Sequence, residues 1–315
     1  MQAYIARRSL QLGVTVLGIL TLVFMMLRLL PGDPASFIAG ENVGEEALEA
    51  LRAKLGLDQP MLMQYVTYLT KIARLDFGQS VVTSLPVIDL VAGALPVTLI
   101  IGTTSLVLGF LVSVPLGTLA AYLSSKGKEG LDQAVIWVAL VLDIMPSFWV
   151  ALLFMLFFTL LLGWLPATGQ LDYSNPLALL KRIALPVLVL SLAQLATVAR
   201  ITRTAVLDVL NDDYVRTARA MGASDMTVLF RHALPNAALP VVTIAGLSFG
   251  RLLGGTVIVE TIFALPGMGT LLVNGINGRD YPVVQGTILL YAVMFIVVNL
   301  LTDLFYTKVD PRIKL

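Results

Sequence analysis

Few side chains in this sequence could make or break bonds. His232 is the single histidine and there is no cysteine. Disulfides, thiolate nucleophiles and His- or Cys-based metal centres are therefore excluded. Neither paired acids nor a nucleophile beside a base stands out, as an enzyme embedded in a membrane would require. No G-x-x-x-x-G-K-[ST] phosphate loop occurs in the 315 residues, so the chain does not carry that nucleotide-binding device. What remains is charge in costly places. Asp143 and Arg251 sit deep in apolar stretches, and Glu260 lies toward the end of the same stretch as Arg251. Such residues face a protein interior or a water-filled path and are usually paired. A second group, Arg216 and Arg219 in a polar loop, is suited to recognition, since arginines pair with acids on the rim of a partner's groove.

The elements that position these residues follow from composition. The hydrophobic fraction is 57% and charged residues make up 13%, with a mean hydropathy of +0.88. A soluble domain carries roughly a quarter charged residues, so the expected solvent is lipid and the expected fold is all-α and polytopic. The net charge of +1 gives no footprint for nucleic acid. Six segments are apolar and long enough to cross a bilayer: 9–30, 95–123, 132–160, 183–206, 237–262 and 283–306. Pro115, Pro146, Pro186 and Pro240 fall within or at the start of these spans, where neighbouring helices can satisfy the freed backbone groups. The basic pair Arg7 and Arg8 before the first run suits a signal peptide, but no small-residue cleavage site follows and the run reads as a retained helix.

Lys and Arg set the orientation. With the N-terminus inside, the cytoplasmic side receives Arg7, Arg8, Lys126, Lys128, Arg200, Arg203, Arg216, Arg219, Arg231, Lys308, Arg312 and Lys314, while residues 31–94 carry more acids than bases. Both termini are then cytoplasmic. The expected organisation is a first span over 1–30, an external segment over 31–94, a membrane core over 95–306 with a cytoplasmic loop at 208–235, and a tail over 307–315. Within the external segment, Ala47, Leu48, Leu51 and Leu55 form one face of a short helix over Glu45–Leu55, and a second is expected over Met61–Leu75. They either cap the helix ends or dock an external protein.

The loop Asp208–Pro235 has internal order. Asn211 and Asp212 are N-cap types, Tyr214–Met221 is helix-compatible, Gly222 is a stop, Ser224 can cap a second helix to Leu234, and Pro235 ends it. Val215, Ala218 and Met221 are spaced to share one face, and Arg216 and Arg219 another. Two short helices at a glycine bend form a projection that a separate motor could grip; alternatively the arginines only hold the loop inside. In the membrane, Asp143 lies about 16 Å along its span at helical rise, and Arg251 at similar depth. They either contact the charged ends of a solute, pair with each other, or pair with a partner. Gly246, Gly250 and Gly254 recur every four residues and permit close helix approach, within the chain or against a partner.

The stretch Arg216-Thr217-Ala218-Arg219-Ala220-Met221-Gly222, followed after nine residues by His232-Ala233-Leu234-Pro235, resembles the EAA loop of ABC importer permeases. The glycine spacing and the Leu-Pro pair match; Arg216, Thr217 and His232 depart from the general pattern as they do in the dipeptide/oligopeptide/nickel branch. Further stretches in the same order resemble that branch: Pro31-Gly32-Asp33-Pro34, Leu55-Gly56-Leu57-Asp58-Gln59-Pro60, Asp76-Phe77-Gly78-Gln79-Ser80, Val259-Glu260-Thr261-Ile262-Phe263, Pro266-Gly267-Met268-Gly269, Arg279-Asp280-Tyr281-Pro282 and Asp310-Pro311-Arg312-Ile313. The chain looks like the dipeptide-permease B type, with a long first external loop.

The resemblance implies a type I importer fold in the bacterial inner membrane. It implies a second homologous permease, two ATPase subunits carrying ATP and Mg²⁺, and an external solute-binding protein. It also implies that Arg216, Thr217, Ala218, Arg219, Met221, Gly222, Leu234 and Pro235 touch the ATPase, and that Glu260 lies near the outer gate. Di- or oligopeptides are the expected solute, with glutathione, nickel complexes, haem or sugars as alternatives. An ion-coupled secondary transporter would need carboxylates or broken helices in repeated positions, and Asp143 is the lone central acid.

Overall fold

The computed structural model describes residues 2–29, 35, 44–169 and 171–309. Among these there is no sheet, only an isolated bridge between Gln79 and Pro86. The elements are α1 (Gln2–Leu29), α2 (Glu45–Leu55), α3 (Met61–Ala73), α4 (Val87–Ser125), α5 (Glu129–Ile144), α6 (Ser147–Phe154), α7 (Pro176–Leu192), α8 (Leu195–Leu210), α9 (Asp213–Ala220), α10 (Ala238–Ile262), α11 (Met268–Asn277) and α12 (Tyr281–Val309). The Pro31–Pro34 and Asp310–Ile313 motifs lie outside the described residues, as do the side chains of Ala47, Leu51 and Leu55 on the expected face of α2.

Three helices are long and apolar enough to cross a membrane: α4, α10, and α12 over Tyr281–Thr302. Two further apolar stretches, long enough to cross when each is taken as one span, come as bent pairs, and α1 contributes a shorter apolar stretch, Gly13–Met26. These fall on the six expected segments, but two are not single straight helices. The third bends by 94° between α5 and α6. Met145 adopts φ −65°, ψ 128° ahead of Pro146, the extended conformation that a following proline enforces. Pro186, by contrast, is accommodated inside α7. The fourth segment bends by 51° between α7 and α8 with no proline or glycine at the break. There the buried amide of Gln194 donates to Ser105 O at 3.0 Å, so a side chain engages backbone of α4. Gly109 makes the room: a Cβ there would lie 2.0 Å from Gln194 Nε2. The second span also starts earlier than expected, at Val87 rather than near Leu95.

Two compact units are distinguished. One comprises 1–97 and 266–296. In it α3 lies along α1, with Tyr65 hydroxyl 2.6 Å from Thr21 Oγ1 and Phe24 edge-on to Tyr65 at 5.2 Å. Buried Asp280 accepts from Ser80 Oγ at 2.5 Å and from the Val82 and Val283 amides. Two stretches distant in sequence, Asp76–Ser80 and Arg279–Pro282, therefore meet at one carboxylate.

The other unit comprises 98–265 and 297–315. Its helices approach closely at small residues: a Cβ on Gly117 would lie 2.3 Å from Ala199 O, and one on Gly246 2.5 Å from Thr302 Oγ1. Gly246 is thus consumed in packing α10 against α12 inside the chain. Gly254 has nothing within 4 Å of its Cβ position and lies on an open face.

Candidate functional site

The segment between α8 and α10 is built as two joined pieces. Asp212 occupies the N-cap of α9 in extended conformation, though its side chain makes no capping bond. The helix ends at Met221. Gly222 follows at φ +86°, its amide donating to Arg219 O at 3.0 Å while the Ala223 amide donates to Ala218 O at 3.1 Å. This paired closure is a Schellman motif, which needs a left-handed residue at the glycine position. Ser224 Oγ then accepts from the Thr227 amide at 3.3 Å and starts Asp225–Thr227, which widens into a π-helical run Val228–Ala233 and closes with the helical turn Leu234–Asn236. Pro235 does not end the segment as expected. It lies inside a continuous helical run, near the start of that last piece and directly after the π-helical turn.

The expected shared face is also revised. Val215 and Ala218 are buried, Val215 against a core that includes Ala205, Val206, Leu210, Val228, Leu229 and Ala233, whereas Met221 is 79% exposed. Met221 has left the helix (φ −79°, ψ 7°), so the three-residue spacing no longer holds it on the inner side. The outer surface presents Tyr214, Arg216, Thr217, Arg219, Met221, Met226 and Phe230. Small residues fasten the projection to its own chain, and larger apolar and cationic ones face outward. Leu234 is half-buried against the same core.

The projection is braced. Asn236 Nδ2 donates to Tyr214 Oη at 2.9 Å and to His232 O at 2.7 Å, tying the second piece to the first. Partial burial pushes the Tyr214 phenol up from its ordinary value. Lys126, just past α4, reaches Asp225 at 2.8 Å, and this hydrogen-bonded ammonium holds the Asp225 carboxyl below the usual carboxylate range. Arg203 of α8 grips Asp132 of α5 through both guanidinium Nε and Nη2, a fork-on-carboxylate geometry, with Asp132 1% exposed.

Within the spans, Asp143 is half-buried at the end of α5, next to the break, and Arg251 is exposed at the middle of α10. Glu260 is fully buried and accepts from Thr98 Oγ1 at 2.7 Å. Among the described residues no group of three or more His, Cys, Asp or Glu is placed to hold a metal ion.

A family model described as binding-protein-dependent transport system inner membrane component matches residues 113–315. The chain belongs to this family. The companion model for the N-terminal part of such membrane components matches residues 1–102. This permease is 41% identical over 315 residues, 100% of its length and 99% of the relative's, to a Brucella abortus protein named as a peptide transport system permease. It is 39% identical over 313 residues (99% and 98%) to the glutathione transport system permease protein GsiC of Salmonella paratyphi A. Among solved structures, the permease matches the MetNI methionine ABC transporter in an inward-facing conformation, with TM-score 0.59 and 19% identity over 71% of this chain and 97% of that one. It also matches an amino acid ABC transporter with TM-score 0.51 and 16% identity, over 70% and 94%. These two likenesses establish the fold. The permease is the membrane subunit of an ABC importer in the inner membrane.

Several residues that organise the permease were not singled out from the sequence. Arg182 of α7 is 3% exposed and donates to three carbonyls, Gly169 O at 2.9 Å, Ala167 O at 2.5 Å and Phe263 O at 2.7 Å. Phe263 is the C-cap of α10, so the guanidinium neutralises a helix C-terminus as the macrodipole favours. Gln194 and Asp132 were likewise unmarked. For Gln194 the available clue was an amide within the apolar span 183–206; Arg182 lies just ahead of that span.

Proposed function

We propose that this permease carries di- or oligopeptides into the cell, with its 213–236 projection gripped by ATPase subunits on the cytoplasmic side. The observation that carries the coupling role is the outward surface of Tyr214, Arg216, Arg219, Met221, Met226 and Phe230 on a projection braced at Gly222 and Asn236. Arginine and aromatic or Met anchors are the residues that dominate protein–protein contacts. The excess of Lys and Arg in this and the other short loops on the same side supports an inward orientation of both termini.

The chain performs no catalysis of its own. Lacking a phosphate loop, it leaves ATP and Mg²⁺ to two partner ATPases, and it completes the solute path with a second, homologous permease. An external binding protein delivers the solute. ATP binding closes the ATPases, and their differential grip shifts the path between inward- and outward-facing states. Peptide is favoured as solute because relatives covering the full length carry peptide-transport names; the glutathione-named relatives supply the second reading. The ion-coupled alternative falls with the family membership.

The test is to express the four-subunit complex with its binding protein in proteoliposomes and measure ATP-dependent uptake of a labelled dipeptide and of labelled glutathione. Arg216→Glu with Arg219→Glu is expected to abolish co-purification of the ATPases and coupled uptake. Retention of both would overturn the coupling assignment, and uptake of neither solute by the wild type would overturn the substrate assignment.

A further inference from the structure

Residues 31–94 carry more acids than bases and read as external, yet one helix among them is fastened to a membrane span. Tyr65 of α3 sets its ring edge-on to Phe24 of α1 at 5.2 Å, and its hydroxyl lies 2.6 Å from Thr21 Oγ1. Tyr68 meets the same Phe24 ring at 5.6 Å, and Phe24 is buried. Thr21 and Phe24 both belong to the apolar stretch Gly13–Met26. At helical rise, Thr21 stands about 12 Å before the end of α1 at Leu29. A second gauge agrees. Val23 packs on Val284, which lies about 5 Å inside the apolar span that opens at Tyr281. The contact between α1 and α3 therefore sits below the surface of the bilayer.

The other sides of α3 are divided. Leu62, Val66, Leu69 and Ala73 follow in steps of four, three and four residues and share one side. Leu62 is 73% and Val66 50% exposed, so nothing in the chain covers this side. Thr67, Thr70, Lys71 and Arg74 share another side and are all exposed. The helix contains no acid. At the same level α1 exposes Leu22, Met25 and Met26, so the apolar side of α3 continues a surface already turned to acyl chains. A soluble external protein does not reach below the headgroups. We infer that α3 is an interfacial helix docked on phospholipid of the outer leaflet. Leu62, Val66, Leu69 and Ala73 enter the acyl boundary, and Lys71 and Arg74 extend to the phosphates, as basic side chains do at that level. The outer side follows from the cytoplasmic termini. The lipid contact itself depends on neither the solute nor the grip of the ATPases.

The absence of cysteine lets nitroxide labels be placed one at a time. Val66→Cys and Thr67→Cys probe the two sides of α3, and Met25→Cys on α1 serves as a depth ruler. All three positions are exposed, so the labels leave the packing intact. Each is labelled in the full complex, its partner subunits freed of reactive thiols, in vesicles of phosphatidylethanolamine and phosphatidylglycerol. Power saturation then reads collisions with oxygen, which concentrates among acyl chains, and with a water-soluble nickel chelate. The expected result at position 66 is a label dominated by oxygen, roughly 5–10 Å below the phosphates. Its depth should fall within about 5 Å, one helical turn, of the ruler. Position 67 should be dominated by nickel. The inference is overturned if position 66 favours nickel while the ruler favours oxygen, since α3 would then stand in water. It is equally overturned if both reagents are blocked at position 66, which would put the second permease or the external binding protein on this side. A label at 67 as rich in oxygen as that at 66 would also overturn it, because the helix would then be wholly submerged. No transported solute enters the measurement, so its failure leaves the importer reading standing.

Discussion

Replacing Gly222 should uncouple ATP hydrolysis from transport through backbone conformation, with side-chain size almost irrelevant. The residue sits at φ +86° with no atom within 4 Å of a would-be Cβ. An L-residue held there costs about 1–2 kcal/mol, a five- to thirtyfold shift in the population of the bent form. If the strain is relieved by opening the turn instead, the Gly222–Arg219 and Ala223–Ala218 hydrogen bonds are lost, at about 1 kcal/mol net each. The two routes are alternatives, so the whole effect is bounded at about 2 kcal/mol. Because the space is open, Gly222→Ala and Gly222→Leu should be impaired to nearly the same degree, while Gly222→Asn, which tolerates the left-handed region, should retain most function. The assay is solute imported per ATP hydrolysed in proteoliposomes, alongside the rate of proteolysis within 211–237. Wild-type coupling in Gly222→Leu would refute the bend as a mechanical element. A mild Ala variant beside a severe Leu variant would refute the backbone argument and point to a partner packed on the glycine.

Further outcomes follow from the packing and the charges. Gly117→Ala forces a Cβ to within 2.3 Å of Ala199 O, and should cost about 1–3 kcal/mol or more, read as a lower melting temperature in detergent, whereas Gly254→Ala should melt like the wild type. Arg182→Met leaves the carbonyls of Ala167, Gly169 and Phe263 without their donor; a loss of about 3 kcal/mol is expected, with Arg182→Lys restoring less than half because a point charge cannot span three acceptors. The depressed Asp225 carboxyl gives the tie to Lys126 its full effect above the ordinary aspartate value of about 3.9. The tie is lost as pH falls through the folded-state value. Protection of the 211–237 segment from proteolysis should thus be flat from about pH 6 to 8, exceed that of Asp225→Asn there, and converge with it only below about pH 4.

Apolarity alone marked the six membrane segments, because a bilayer core of ~30 Å demands long uncharged runs. The turn at Gly222 and the cap at Ser224 were legible for a similar reason: few residue types meet those local requirements. The bends were harder. Pro146 breaks its span and Pro186 does not, and nothing in the proline itself separates the two cases. The bend after Leu192 has no local breaker; it is tied to the contact between the Gln194 amide and the α4 backbone, a partner 89 residues away in sequence. Periodicity grouped Met221 with Val215 and Ala218 because it assumed that the helix continued, while the cap had already turned Met221 outward. The glycine series on α10 was read as one surface, yet Gly246 packs on Thr302 and Gly254 faces open space. A four-residue repeat drifts around the helix axis, so its two ends can serve different neighbours.

Arg182 holds its three partners only by their main-chain oxygens, an acceptor that almost any amino acid at positions 167 and 263 would supply. Ala167 and Phe263 could therefore change type and keep the clamp, whereas Gly169, at φ +142°, is held by its backbone conformation. The side chain that does the holding is thus the one part that cannot be exchanged: a single guanidinium pins Ala167 and Gly169 to the end of α10.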